Sequence, residues 1–290
     1  MTALGFGASG PWAERWFSEE KAYAVLKAAV AAGVRDLDTG PSYARGHAEA
    51  RLGRLLARLA EEDGSALRLS SKVGTELGEG GRLIKAFEPK DIDRQLAASL
   101  AALGVARLDV LYLHGPDEHQ LASALPYLDE LKQTGVIEAT GVVADGRFVS
   151  AAAAARPDWI MAPYNVLDQD NGPALARARA EGIKVAVVAP LAQGLWRRDL
   201  FAPRTLSGAW YAARALTRRD KVRTARRARW LRETDASPVE LALGFVREAL
   251  APDLVLTTST NPAHVAQSAR ALASPVPPTL AARLQGLMVS

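Results

Sequence analysis

Four polar side chains that can exchange or orient protons stand at or just after the ends of three short apolar runs in the first half of the chain. They are Asp38, Tyr43, Lys72 and His114. A free phenol has a pKa near ~10, too high for efficient proton transfer at neutral pH, and an ammonium within ~4–6 Å favours the phenolate. We therefore expect Lys72 to lower the pKa of Tyr43, which would exchange a proton with a carbonyl or hydroxyl oxygen.

The other two side chains suit the same chemistry. An ammonium in a partly buried site needs a counter-charge, which Asp38 can supply to Lys72. A neutral His114 can donate a hydrogen bond to a substrate oxygen and fix its orientation. A single aspartate at a strand end is more often a helix cap, and a single tyrosine usually lies at the edge of the core. The catalytic interpretation therefore depends on all four residues meeting at one place.

Secondary structure must bring these residues together, and the apolar pattern predicts eight strands and eight helices. The predicted strands are Leu4–Gly7, Arg35–Asp38, Leu67–Lys72, Leu108–His114, Ala139–Val143, Trp159–Pro163, Lys184–Pro190 and Leu254–Thr257. The predicted helices are Glu19–Ala32, His47–Ala60, Pro89–Leu103, Leu121–Thr134, Arg147–Ala154, Gly172–Glu181, Pro238–Leu250 and Pro262–Leu272. Strands that each precede a helix predict a parallel sheet with right-handed crossovers, and eight such units close into a (β/α)8 TIM barrel.

The competing fold is an open, doubly wound sheet. That fold usually has a glycine-rich turn that opens a helix after its first strand. Residues 5–10 have suitable glycines, but Pro11 and Trp12 follow them in place of a helical pattern. The barrel is therefore preferred, and its βα loops place the four polar residues on the functional face.

The composition fits one domain with a single core. The chain has 290 residues, a length within the usual ~200–400 residues of one barrel. Of these residues, 49% are hydrophobic. We predict one domain over residues 1–290, with long loops at about 74–88 and 196–237. The absence of cysteine excludes disulfides and thiolate metal sites, and no metal is expected.

Charge and hydropathy narrow the expected partners. The N-terminus lacks a signal-peptide pattern, and no apolar run approaches the ~18 residues of a membrane span. The segment from Arg197 to Arg232 contains twelve Arg or Lys residues and only two acidic residues. This excess predicts a solvated helix or, alternatively, a surface that binds anions. We expect a cytoplasmic protein that acts on a small-molecule substrate, without nucleic acid or membrane, as a monomer or weak homo-oligomer. Trp12, Tyr112, Trp196 and Trp210 suit an aromatic pocket or packing equally well.

The chain resembles the aldo-keto reductase family over nearly its whole length. Residues 33–43 and 49–53 are similar to the family's Gly-x-Arg-x-x-Asp-Thr-Ala-x-x-Tyr followed by Glu-x-x-(Leu/Val)-Gly. Residues 71–73 resemble its Thr-Lys-Val, and residues 109–114 resemble its Asp, four hydrophobic residues and His. The resemblance implies that Tyr43 is the general acid/base, that Lys72 and Asp38 tune it, and that His114 orients the carbonyl.

The same resemblance implies NADPH or NADH as the cofactor, extended across the barrel mouth. Residues 189–195 resemble the loop that lies along the pyrophosphate, and residues 258–262 open the last helix, whose N-terminus favours phosphate. The implied cofactor-binding residues are Tyr164, which would stack on the nicotinamide, and Pro190, Leu191, Gln193, Gly194, Thr258, Ser259, Thr260, Asn261, His264, Gln267 and Ser268.

Several positions depart from the family pattern. Val143, Ala144 and Met161 replace the family's Ser, Asn and Gln, which hold the nicotinamide carboxamide. Gln267 and Ser268 replace the Glu-Asn pair at the adenine. Each lost hydrogen bond weakens binding by ~0.5–1.5 kcal/mol. Two alternatives to a reductase therefore stay open. One is a redox-neutral lyase, dehydratase or isomerase that uses the same four residues, and the other is a non-enzymatic binding protein.

Overall fold

The computed structural model describes residues 2–62, 64–194, 200–217, 222 and 237–276. The strands are β1 (Ala3–Gly7), β2 (Asp36–Asp38), β3 (Arg68–Val73), β4 (Thr75–Leu77), β5 (Leu83–Lys85), β6 (Leu108–His114), β7 (Ile137–Val143), β8 (Trp159–Pro163), β9 (Lys184–Val188) and β10 (Leu254–Thr257). All except β4 and β5 form a closed parallel barrel in chain order, in which β10 pairs with β1. The predicted (β/α)8 barrel is confirmed.

The helices of the described residues surround this barrel. They are α1 (Glu19–Ala31), α2 (Ala48–Glu62), α3 (Pro89–Leu103), α4 (Glu118–Gln133), α5 (Phe148–Ala154), α6 (Gly172–Ala180), α7 (Leu206–Leu216), α8 (Pro238–Leu250) and α9 (Pro262–Ala273). Capping residues mark several helix ends. Ser18 caps α1 by accepting a hydrogen bond from the Lys21 amide. Gly104 ends α3 in the left-handed conformation, with a φ of 70°.

A cluster of buried apolar side chains packs inside the barrel below its mouth. Tyr112, Met161 and Leu256 are at most 5% exposed there. Gly141 leaves room for the Tyr112 ring, because a Cβ at this position would lie 2.3 Å from Tyr112 Cδ1. Tyr112 therefore packs in the core. Of the two interpretations that the sequence allows for this aromatic residue, packing is correct and a pocket wall is not.

Both long loops predicted from the sequence contain secondary structure. Residues 74–88 include the antiparallel hairpin β4–β5, whose register pairs Thr75 with Lys85. The described part of residues 196–237 contains α7, and the remainder lies outside the described residues. In the part of the chain that the structure covers, we find no helix with the length and apolar character needed to span a membrane.

Candidate functional site

The carboxyl ends of the barrel strands surround one large cavity of about 1880 Å³. A typical small-molecule site has about 300–1,000 Å³, so this cavity has room for a larger ligand or for two ligands together. Asp38, Tyr43 and His114 line it, and Lys72 lies directly beneath with 1% of its surface exposed. The structure thus brings together all four residues that the sequence singled out.

Lys72 and Asp38 form a buried ion pair at the floor of the site. The Lys72 Nζ donates to both Asp38 carboxylate oxygens at 2.7 and 2.6 Å, and to the Thr39 carbonyl at 2.6 Å. Ser70 Oγ donates a further hydrogen bond to Asp38 at 2.9 Å. Burial disfavours the ammonium, but Asp38 and Tyr43 outweigh it and raise the pKa of Lys72. Lys72 is therefore charged at neutral pH and paired.

A short turn after β2 presents Tyr43 to the cavity. The Tyr43 amide donates to the Gly40 carbonyl at 3.0 Å. The next two residues, Ala44 and Arg45, have φ values of 49° and 55°, in the left-handed region that non-glycine residues rarely adopt. Such conformations cost of order 1–3 kcal/mol each and cluster at functional sites.

The electrostatics of Tyr43 differ from the sequence-based expectation. The Lys72 Nζ lies 4.8 Å from the centroid of the Tyr43 ring. Burial of the phenol raises its pKa, and this effect exceeds the opposing effect of the Lys72 charge. The expected net lowering of the Tyr43 pKa is therefore wrong, because desolvation is the larger cause. Tyr43 therefore keeps its proton at neutral pH.

His114 packs edge-on against Tyr43, with the ring centroids 6.0 Å apart and an angle of 87° between the planes. Burial, together with the charges of Lys72 and Lys85, lowers the pKa of His114 to about 3. Its Nδ1 is buried without a hydrogen-bond partner among the described residues, so Nε2 is the nitrogen that can reach a molecule in the cavity. His114 is therefore a neutral imidazole at physiological pH.

Most of the predicted cofactor-binding residues line the same cavity. They are Pro190, Leu191, Gly194, Thr258, Ser259, Thr260, Asn261, His264, Gln267 and Ser268. Asn261 caps α9 by accepting a hydrogen bond from the Ala263 amide at 3.0 Å. Thr258 Oγ1 donates to the Gly7 carbonyl at 2.8 Å and so ties the end of β10 to β1. The side chain of Gln193 lies outside the described part of the chain, as do residues 197–199, 218–221 and 223–232 of the basic segment.

Tyr164 is an exception among these residues. Its ring stacks on Phe245 of α8, with the centroids 5.5 Å apart and the planes at 13°, and only 3% of the residue is exposed. Pro163 precedes it and lines the cavity, so the alternation of side chains turns Tyr164 outward. The structure does not bring Tyr164 to the mouth, and this corrects the prediction that it stacks on a nicotinamide.

The inner end of the cavity is apolar where the family pattern has polar residues. Val143, Ala144 and Met161 all line the cavity, together with Val188. The volume and the N-terminus of α9 suit a dinucleotide, whereas these side chains offer its carboxamide no hydrogen bond. The residues present therefore fit the phosphates and an apolar ring better than they fit the amide.

The structure adds residues that sequence reasoning missed. Lys85 of the hairpin and Arg214 of α7 line the cavity, and the Arg214 charge lowers the pKa of Tyr43 against the larger effect of burial. The sequence could have indicated Lys85, because it is a cation in the long insertion that follows the third predicted barrel strand. Trp210 also lines the cavity, whereas Trp12 is fully buried and donates to the Ala22 carbonyl at 3.1 Å.

Comparisons with known proteins agree with this architecture. The chain is 32% identical over 230 residues to D-threo-aldose 1-dehydrogenase from Pseudomonas sp, covering 69% of this chain and 70% of the relative. It is 30% identical over 177 residues to the NADH-specific methylglyoxal reductase of Escherichia coli, covering 56% of this chain and about half, 54%, of that relative.

Solved structures show the same fold. An aldo-keto reductase from Bacillus halodurans, in its holo form, superposes with a TM-score of 0.76 and 25% identity, covering 98% of this chain and 91% of that one. The glycerol dehydrogenase of Gluconobacter oxydans superposes with a TM-score of 0.78 at 18% identity, over 99% and 91% of the two chains. The pattern of the aldo/keto reductase family matches residues 3–288, so the chain belongs to the aldo/keto reductase family.

Proposed function

We propose that this protein interconverts a carbonyl compound and its alcohol with NADPH or NADH, using Tyr43 as the proton donor. The observation that carries the proposal is the packing of Tyr43 against His114, beside the buried Lys72–Asp38 ion pair. The cavity that holds them also reaches the N-terminus of α9, where backbone amides and the helix dipole favour phosphate. Pyrophosphate contacts would come from residues 190–194 and 258–261.

Each side chain of the site has a distinct task in carbonyl reduction. When bound, the dinucleotide supplies the hydride. His114 Nε2 donates a hydrogen bond that orients the carbonyl oxygen, and Tyr43 donates its proton to that oxygen as it becomes a hydroxyl. The Lys72 ammonium then stabilises the phenolate that remains, and Asp38 keeps Lys72 in place. In alcohol oxidation the same groups act in the reverse order.

The substrate is inferred from the relatives and the cavity. The relatives include an aldose dehydrogenase and a methylglyoxal reductase, which supports a small aldehyde or the corresponding alcohol. Trp210 and Tyr211 meet edge-on, 5.1 Å apart, and line the cavity, so they offer an aromatic surface of the kind on which sugars and other small polar molecules pack.

A second function has one specific observation in its favour. The apolar side chains of Val143, Ala144 and Met161 lack the hydrogen bonds that a nicotinamide amide needs, and a redox-neutral lyase or isomerase would not need them. Tyr43 and Lys72 would then move a proton without a hydride.

Dinucleotide binding and turnover distinguish the two functions. Titration with NADH and NADPH should quench tryptophan fluorescence, and glyceraldehyde or methylglyoxal should then be reduced with equimolar loss of nicotinamide absorbance. A protein that binds neither dinucleotide, or that consumes its substrate equally well without one, would overturn the proposal and favour the redox-neutral enzyme.

A further inference from the structure

The β4–β5 hairpin places an ammonium beside His114. Lys85 Nζ donates to the Gly115 carbonyl at 2.7 Å, to Thr75 Oγ1 at 2.9 Å and to the His114 carbonyl at 3.0 Å. Thr75 Oγ1 donates in turn to the His114 carbonyl at 2.7 Å. Lys85 is an exposed hairpin residue, but these contacts fix its charged end at the wall of the cavity.

The charge of Lys85 has no contacting counter-ion among the described residues. All three of its acceptors are neutral oxygens. The charge of Asp117 acts on Lys85 without a contact, and Asp117 is engaged as the N-cap of α4, where it accepts from the Gln120 amide at 2.8 Å. Burial lowers the pKa of Lys85. The charged end is partly shielded from water although the residue as a whole is exposed, so its charge is screened less than that of a fully solvated lysine.

The catalytic candidates around Lys85 do not neutralise its charge. Lys72 is paired with Asp38, and His114 and Tyr43 are neutral, so none of these groups cancels the charge of Lys85. Gly115 adopts a φ of 66°, and a Cβ there would lie 3.3 Å from Lys85 Nζ, so a glycine permits the close approach. A perturbed, unpaired cation in a cleft is a candidate ligand contact.

We propose that Lys85 forms an anion subsite, which selects carbonyl substrates that carry a carboxylate or a phosphate group. This inference rests on the proposed oxidoreductase function and specifies its substrate class. The three N–H groups of Lys85 already have acceptors, so its positive charge attracts the anionic group without a free donor, while the carbonyl oxygen lies between Tyr43 and His114. The hydrogen bonds to the carbonyls at the end of β6 keep the ammonium in position before the substrate arrives.

Matched substrate pairs test the subsite. The kcat/KM values of 4-oxobutanoate and butanal, and of D-glyceraldehyde 3-phosphate and D-glyceraldehyde, are compared in the wild type and in Lys85→Met, Lys85→Gln and Lys85→Arg. We expect the wild type to prefer at least one charged partner. In the Met and Gln variants that preference should fall at least about tenfold, which corresponds to about 1.4 kcal/mol. The Arg variant should retain it. Lys184→Met, at the opposite end of the barrel, should leave the preference unchanged.

Other outcomes would overturn the subsite. Lys85→Gln keeps amide donors for the hairpin but removes the charge, so an equal fall for charged and neutral substrates would show that Lys85 only supports the structure. A wild type without any preference for charged substrates would also contradict the proposal. Calorimetric binding of 4-hydroxybutanoate and of butan-1-ol, repeated in the same variants, reports the subsite separately. A protein that binds the anion through Lys85 but shows no dinucleotide-dependent turnover would refute the proposed function alone.

Discussion

Loss of the Lys72 ammonium should destabilise the whole barrel, because it leaves the Asp38 carboxylate buried without its partner. The two side chains are only 1% and 6% exposed, and Lys72 Nζ donates to both carboxylate oxygens. Removal of one member of a buried ion pair costs about 3–5 kcal/mol. We therefore expect Lys72→Met to lower the free energy of unfolding by that amount. At a urea m-value of about 3 kcal/mol/M, the midpoint should fall by about 1–2 M.

Two further variants separate charge from packing. In Asp38→Asn/Lys72→Met both charges are gone, so the double variant should be more stable than Lys72→Met by about 2 kcal/mol or more. Lys132→Met is a matched control, since Lys132 pairs with Asp158 at 2.6 Å but the side chains are 39% and 36% exposed. This pair should contribute about 0–1 kcal/mol. Urea unfolding followed by circular dichroism measures all three. Equal losses for the two lysine variants, or a double variant no more stable than Lys72→Met, would refute the argument from burial.

Three other predictions concern single residues. The His114 pKa is lowered from 6.5 to about 3, so the stability that its neutral form contributes is complete above pH 6.5 and is lost as the pH falls towards 3. Between a pH above 6.5 and pH 4, the free energy of unfolding should fall by about 3 kcal/mol more in the wild type than in His114→Gln. Urea unfolding of both proteins at the two pH values measures this difference. Gly141→Ala should lower the free energy of unfolding by about 1–3 kcal/mol, because its methyl group would collide with Tyr112, and an unchanged melting temperature would contradict the packing. Tyr164→Phe should leave the NADH and NADPH dissociation constants within about twofold, since the ring stacks on Phe245 outside the cavity.

The barrel and the four central residues were readable from the sequence for a physical reason. Strands covered on both faces are continuous apolar runs, so a charged residue such as Lys72 at the end of such a run stands out. Parallel strands place their carboxyl ends on one face, and this brings Asp38 and His114 together without any knowledge of loop structure. Periodicity therefore predicted both the elements and the end of the barrel at which the candidate site lies.

The predictions that were wrong depended on burial depth and on local backbone geometry, which the sequence alone does not give. Whether the pKa of Tyr43 is raised or lowered depends on the balance between burial of the phenol, which raises it, and the charge of Lys72, which lowers it. Tyr164 was misplaced because one residue of offset beyond β8 turns a side chain from the cavity to the outside. The sequence predicts a loop at the hairpin, because its two strands of three residues each are too short for a clear alternation, although short apolar segments flank the glycines at 78, 80 and 81. The three contacts of Lys85, on which its proposed role rests, could not be predicted from the sequence.

The proton donated by Tyr43 is the central claim, and a single-turnover reduction with pre-bound dinucleotide tests it most directly. Tyr43→Phe removes the hydroxyl and keeps the ring that packs against His114. We predict that the rate of nicotinamide oxidation on mixing with aldehyde falls at least about 100-fold, while the dinucleotide dissociation constant is unchanged. A Tyr43→Phe protein that reduces the aldehyde at the wild-type rate would contradict the account.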